Sequence, residues 1–395
     1  MGETAARNWA TDYELLDPSY VEDPWSVWDE LRSTCPVAHT DRHDGSWMPT
    51  RYDDLVAIAQ DVETFTSRSV AVMPPVPGSP VIRLPPIDSD PPEHHGARRL
   101  ILPAFSPRRV RERDEPFARK LAAELIDGFI ADGRVDAAVQ YAQQIPPRVI
   151  AHMLGVPDDM SDTFVDWVRG ILELGYEDAD LRIRCRDATL EYFVELVGSR
   201  VENPGDDVVS ELLAAEIDGR SVTPEDVIHT CVLLLIAGID TTWSSIGSAI
   251  WHLAQHPGDR RRLVAEPELV PVAVEELLRA YSPVTMARIV SEPTVFRGCP
   301  MDAGDRVIMN FPAGNRDPEV FDDADKVIID RAQNRHMAFG VGIHRCAGSN
   351  QARLEMRVAI EEWLARIPEF ELEDPSAVTW AAGQVRGPRV LPVVF

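Results

Sequence analysis

The sequence predicts a mainly α-helical fold with small β-sheets, and three observations predict it. Between residues 115 and 200, apolar and charged side chains alternate at helical spacing. Gly133, Pro146-Pro147 and Gly155-Val156-Pro157 interrupt the pattern, so several helices follow one another. Thr223-Pro224-Glu225-Asp226 joins a capping hydroxyl, a proline at the first helical position and acids in the first turn. That signal opens a long helix expected to run to about His256, where Pro257 ends it. Short strand-like runs at Thr294–Phe296 and Arg306–Asn310 are set off by Gly298 and Ala303-Gly304.

Composition removes several function classes. Of 395 residues, 45% are apolar, which is enough for a large core and excludes disorder as a class. Length alone allows either several domains or one large one. Lys and Arg number 39 against 65 Asp and Glu, and the net charge of −26 argues against a nucleic-acid partner. Five widely spaced cysteines make neither a disulfide framework nor a zinc site, which fits a reducing cytoplasm. The N-terminus is polar and acidic, with no apolar signal segment. The longest apolar run, Cys231 to Ala237, falls well short of the roughly 18 residues of a membrane span.

Along the chain, residues 1–20 are expected to be loosely ordered. Asp23-Pro24 opens a helix to Arg32 with Trp25, Trp28 and Leu31 on one face. Pro36–His39 and Ser46–Thr50 read as a hairpin, and Tyr52–Gln60 as a helix. From Phe65 to Pro92 eight prolines forbid a long helix, and composition alone describes a rigid surface linker. A helix opening at Asp90-Pro91-Pro92 carries His94 and Arg98 four apart on one face. Two cations so placed suit a dianionic group. His95 and Arg99 have the same spacing, so geometry does not choose between the pairs. Inside the long helix, Ala237-Gly238-Ile239-Asp240-Thr241-Thr242 carries a propensity cost. By itself it reads as a kink with self-bonded hydroxyls; it also offers a flat surface to a bulky planar group. Glu276 and Arg279, three apart, can pair, although that spacing is common.

Phe339 to Gly348 reads FGVGIHRCAG. Cys346 has no second cysteine near it, and a helix expected from about Ala347 puts its sulfur near a helix N-terminus, which favours a thiolate. A lone thiolate in a glycine-rich turn suits an axial ligand of haem iron. Taken alone, the residue reads as a buried structural cysteine. The ten residues together resemble the haem-binding loop of the cytochrome P450 family at Phe339, Gly340, Gly342, His344, Arg345, Cys346 and Gly348. The AGIDTT run, the Asp90–Arg98 segment and Glu276–Arg279 resemble three further family elements, and the likeness covers essentially the whole chain.

That resemblance implies one haem domain over 1–395, of triangular-prism fold. Haem b would lie between the long central helix and the cysteine loop, with Cys346 on the iron. His94, Arg98, Arg288 and His344 would hold its propionates. Ala237 and Gly238 would face it, and Phe339 and Gly348 would flank the sulfur. Thr241 would donate a hydrogen bond near bound dioxygen, and Asp240 would couple it to solvent protons. Glu276, Arg279 and a third group, taken as Arg316, would lock the core beneath the haem. Met73, Val81, Ile82, Leu84, Leu235, Val284, Met286 and Gln384 would line the substrate pocket. Arg83, a charge in an apolar run, reads more readily as solvated than as a substrate contact.

The activity implied is insertion of one oxygen atom of O2 into a small-to-medium hydrophobic molecule. The alternatives are peroxide-driven oxidation, coupling or rearrangement on the same fold, or a haem sensor without turnover. Electrons would come from a ferredoxin, itself reduced by an NAD(P)H reductase. It would dock near Arg108, Arg109, Arg111, Arg113 and Arg345, a basic cluster in an acidic chain. The chain is expected to act as a cytoplasmic monomer.

Overall fold

The computed structural model describes residues 7–217 and 219–395. Helices make most of the fold, and short strands gather into small sheets. Residues 1–6, part of the stretch read as loosely ordered, lie outside the described residues. The remainder of that stretch is packed, contrary to expectation. Tyr13 and Leu15 are buried, and Tyr13 is hydrogen-bonded to Ser46 at 2.5 Å.

Thr223 caps the central helix as its residue types predict. Its hydroxyl accepts from the Asp226 N–H, and the Asp226 carboxylate accepts from the Thr223 N–H. The helix is not continuous to His256. It runs Pro224–Gly238 and resumes as Asp240–Gln255, broken at Ile239 (φ −93°, ψ −71°). The Thr241 hydroxyl donates to the Ala237 carbonyl at 2.8 Å, so a side chain competes for a backbone acceptor at the break. Gly238 is needed here for helix packing. A Cβ at that position would lie 2.7 Å from Ile150 Cδ1. By length and hydropathy Pro224–Gln255 could cross a bilayer, but 67% of its apolar window is buried in the protein. Its Cys231, Leu235, Trp243 and Ile246 pack in the largest core with Ile150, Ile360 and Trp363.

The main sheet has five strands in the order Val37–Thr40, Ser46–Pro49, Arg306–Met309, Met286–Val290 and Phe65–Thr66. Val307 pairs with Arg288 and Met309 with Met286 in an antiparallel register. Strand side chains alternate between faces, so Met286 and Arg288 share one face, and both reach the same cavity. A C-terminal hairpin, Thr379–Ala381 with Gly387–Val390, packs on the Asp240–Gln255 helix. Gly387 permits that approach: a Cβ there would lie 2.3 Å from Ser244 Cβ. The hairpin thereby brings Arg389 to Asp240.

Candidate active site

A cavity of about 610 Å³ is mostly apolar. Its lining comes from the cysteine loop, the broken central helix, the proline-rich 68–88 segment, the Met286–Val290 strand and the Ala382–Arg386 turn. The proline-rich segment is therefore a cavity wall and not a linker.

The cysteine loop is held by its own backbone. The Cys346 N–H donates to the Phe339 carbonyl at 2.7 Å, and the Gly340 N–H to the Met337 carbonyl at 2.9 Å. Gly340 and Gly342 have φ of +69° and +73°, where a side chain is strained. Gly342 also passes so close to residue 59 that a Cβ would lie 2.8 Å from the Ala59 carbonyl oxygen. Cys346 is accessible and lines the cavity. The following helix starts at Ser349, two residues later than expected. Burial pushes the thiol pKa up, while the Gly348 N–H and the Arg98, Arg345 and Arg353 charges oppose that rise. The loop therefore does not ionise the thiol by itself. A metal cation held by Cys346 would supply the missing drive, since a coordinating thiol is deprotonated. Phe339 lies beneath the Arg353 guanidinium at 4.4 Å, and Arg353 is tied to Glu275 at 2.6 Å.

Positive charge collects on one side of the cavity. The His94 and His344 rings stand 4.5 Å apart, and Arg98 and Arg288 line the wall beside them. Among the described residues neither arginine forms an ion pair. Both ring nitrogens of His94 and Nε of Arg288 are buried without a partner. Burial, then Arg288, His94 and Arg98, hold the His344 pKa down to about 3. Burial lowers that of Arg288 to about 10. Such a cluster is costly unless anions meet it. Of the two pairs the sequence left open, His94 is buried in this cluster, while His95 and Arg99 are exposed. A soft thiol and two arginines without ion pairs among the described residues, beside two imidazoles, around one apolar cavity fit an iron porphyrin with two carboxylates.

Thr241 lines the cavity but Asp240 does not. Asp240 is 1% exposed, and both its oxygens accept from one Arg389 nitrogen, at 2.7 and 2.9 Å. Arg389 also donates to Glu173 at 2.9 Å and to Ser244 at 3.1 Å, and stacks 4.1 Å from the Trp243 ring. The expected link from Asp240 to solvent is thus replaced by a buried ion cluster. Burial raises the Asp240 pKa, and Arg389 holds it back. The folded protein binds a proton there that the unfolded chain has released, so this group loses stability as pH rises above its ordinary value. In Arg389→Gln the rise is larger and extends to higher pH. Its thermal destabilisation relative to wild type is expected to grow from acid to neutral pH, and to shrink in Asp240→Asn/Arg389→Gln. A deficit independent of pH would contradict the cluster.

Other expectations need correction. Met73 packs in the N-terminal core with Trp28, Ala287 and Ile308 and does not line the cavity. Leu235 points into the main core; its neighbours Val232, Leu233 and Ile236 line the cavity instead. Val81, Ile82, Leu84, Val284, Met286 and Gln384 do line it, with Ala237 and Gly238. Arg83 is ion-paired with Asp88 and Glu93. Glu276 and Arg279 are fully buried and doubly bonded at 2.8 Å, but Arg316 is not their third member. Arg331 and Asn334 donate to Glu276, each at 3.0 Å. Arg316 lies under Trp25 at 4.9 Å and donates to the Ala280 carbonyl. Ile171 and Leu172 of the Ser161–Leu172 helix and Arg182, Ile183 and Arg186 of the Ala179–Glu202 helix also line the cavity.

The family model for Cytochrome P450 matches residues 150–379. The mycinamicin IV hydroxylase/epoxidase of Micromonospora griseorubida is 35% identical, covering 93% of this chain and 94% of that one. The vitamin D(3) 25-hydroxylase of Pseudonocardia autotrophica is 34% identical, covering 91% and 90%. Among solved structures, the Bacillus subtilis bacillaene polyketide synthase cytochrome P450 PksS superposes with a TM-score of 0.87 at 29% identity, covering 95% and 97%. This chain belongs to the cytochrome P450 family. It is an oxidoreductase of the P450 monooxygenase kind, and its cofactor is haem b.

Proposed function

We propose that the chain inserts one oxygen atom of O2 into a C–H or C=C bond of a small-to-medium hydrophobic molecule. The observation that carries this reading is one apolar cavity lined by both the Cys346 thiol and the Thr241 hydroxyl. Cys346 is the metal ligand, Phe339 and Gly348 flank its sulfur, and His94, Arg98, Arg288 and His344 hold the cofactor's carboxylates. When bound, haem b supplies the activation of O2. The protein's own part is to exclude water with an apolar wall and to present one hydroxyl. Thr241 Oγ1 now donates to Ala237, and turning that hydrogen into the cavity makes it a proton donor there. Asp240 supports it only on leaving Arg389. Oxygen insertion is further supported by relatives named as a mycinamicin IV hydroxylase/epoxidase and a vitamin D(3) 25-hydroxylase.

Electrons come from a separate ferredoxin with its reductase. The basic patch that supports this is smaller than the sequence implied. Arg108, Arg109 and Arg113 are ion-paired with Glu112, Glu211 and Asp114. Arg111 and Arg345 are exposed and carry no ion pair among the described residues.

The test is oxygen consumption with a surrogate ferredoxin system, with product and peroxide both counted. Thr241→Ala should keep consuming oxygen while product falls at least about tenfold and peroxide rises, the loss expected of a missing proton donor. Product unchanged in Thr241→Ala, or formed only when peroxide is supplied to wild type, would favour peroxide-driven chemistry.

A further inference from the structure

We infer that the mouth of the cavity binds an anionic group, so that the preferred substrate is an apolar molecule ending in a carboxylate. This rests on the monooxygenase reading above for the word substrate, though not for the binding itself.

Six arginines line the cavity: Arg68, Arg98, Arg182, Arg186, Arg288 and Arg306. The cofactor's two carboxylates account for Arg98 and Arg288. Arg306 is turned toward the His43 carbonyl. Arg68, Arg182 and Arg186 are left, in a chain whose acids outnumber its bases by 65 to 39. Among the described residues Arg68 and Arg182 have no carboxylate partner; the one partner of Arg186 is its neighbour Asp187, itself 57% exposed.

Arg182 and Arg186 are four apart on the Ala179–Glu202 helix, so they share a face. That face meets the proline-rich wall. Arg186 donates to the Ser79 hydroxyl and to the Pro80 carbonyl at 2.7 Å. Arg182 reaches the Pro74 carbonyl only at 3.5 Å and sits 5.7 Å from the Tyr176 ring. These neutral acceptors leave the charge of Arg182 uncompensated, while that of Arg186 is met by Asp187 at 2.6 Å on the exposed side of the helix. A neutral apolar molecule gains nothing from that charge. A molecule with an apolar body and a carboxylate end fills the apolar interior and leaves its anion at the arginines, which match carboxylate geometry in two-bond contacts.

The experiment compares dodecanoic acid with methyl dodecanoate and dodecyl phosphate. Binding is followed by the ferric spin-state shift and, independently of the haem, by calorimetry. Wild type should bind the acid at least about tenfold more tightly than the ester, with an affinity that falls as salt rises. Arg182→Gln/Arg186→Gln should bring the acid-to-ester affinity ratio to about one, and Arg68→Gln should reduce it. Equal binding of acid and ester by wild type, or a preference that survives the double variant, overturns the proposal. Dodecyl phosphate displacing the acid from the same arginines would still show an anion site but would overturn its assignment to carboxylates. The reduced CO spectrum of each variant reports separately on haem–thiolate ligation. Its failure in wild type defeats the functional reading, and calorimetry then still decides the anion site.

Discussion

Arg279→Ala is expected to cost about 3–5 kcal/mol of folding stability and to yield protein that retains little haem. The side chain is wholly buried and its five donors are all used. Two bonds go to Glu276 and the others to the carbonyls of Asn315, Ala324 and Lys326. Its removal leaves the buried Asn315 and Ala324 carbonyls unmet, the Lys326 carbonyl with only Arg331 at 3.4 Å, and Glu276 short of its closest cation. Those carbonyls belong to the segment that leads into the cysteine loop, so the loss spreads to the floor of the cavity. The Asn315 side chain makes the same connection by accepting the Met337 N–H at 2.7 Å. Arg331→Ala should reproduce part of the effect. Arg316→Ala should cost only about 1–2 kcal/mol, because its ring contacts with Trp25 and Tyr281 and its bonds to the Ala280 and Asp325 carbonyls leave no buried carboxylate unpaired when lost. Chemical denaturation of all three, with haem content measured alongside, checks the order. Arg316→Ala as damaging as Arg331→Ala would restore Arg316 to the network.

Cys346→Ala should abolish monooxygenation and remove the red-shifted Soret band of the reduced, CO-bound protein. It should do so with little change in the fold. The Cys346 side chain lines the cavity, and the contact that holds the loop is its backbone N–H to Phe339. Haem can therefore still enter, guided by His94, Arg98, Arg288 and His344, but without the thiolate. Cys346→Ser keeps a small polar side chain and should lose the band as well, because a hydroxyl does not replace the soft sulfur donor. The band persisting in folded Cys346→Ala would remove the ligand assignment and the chemistry built on it. The raised pKa of the thiol adds a further expectation. In haem-free protein at neutral pH, Cys346 should alkylate more slowly than a free thiol of ordinary pKa, because the reacting species is the thiolate.

Most of the fold and the centre of the site were legible in the sequence because local chemistry determines them. A capping threonine before proline and two acids starts a helix wherever it occurs. Glycines at 340 and 342 announce a loop that a side chain would block. Cys346, Thr241 and the His94–Arg98 spacing could be read for the same reason: each lies within a few residues of the pattern that identifies it.

What the sequence could not contain was the partner of a charge. Asp240 looked like a relay to solvent until the C-terminal hairpin brought Arg389 to it across 149 positions of sequence. The third member of the Glu276 network lay 55 residues away at Arg331, while Arg316, the nearer candidate by pattern, went under Trp25. Leu235 and its neighbours are equally apolar, and only the packing of the helix decided which of them met the core and which the cavity. Sequence spacing determines which residues share a face; what that face meets is decided by packing between distant segments, where burial energy and charge pairing are settled together.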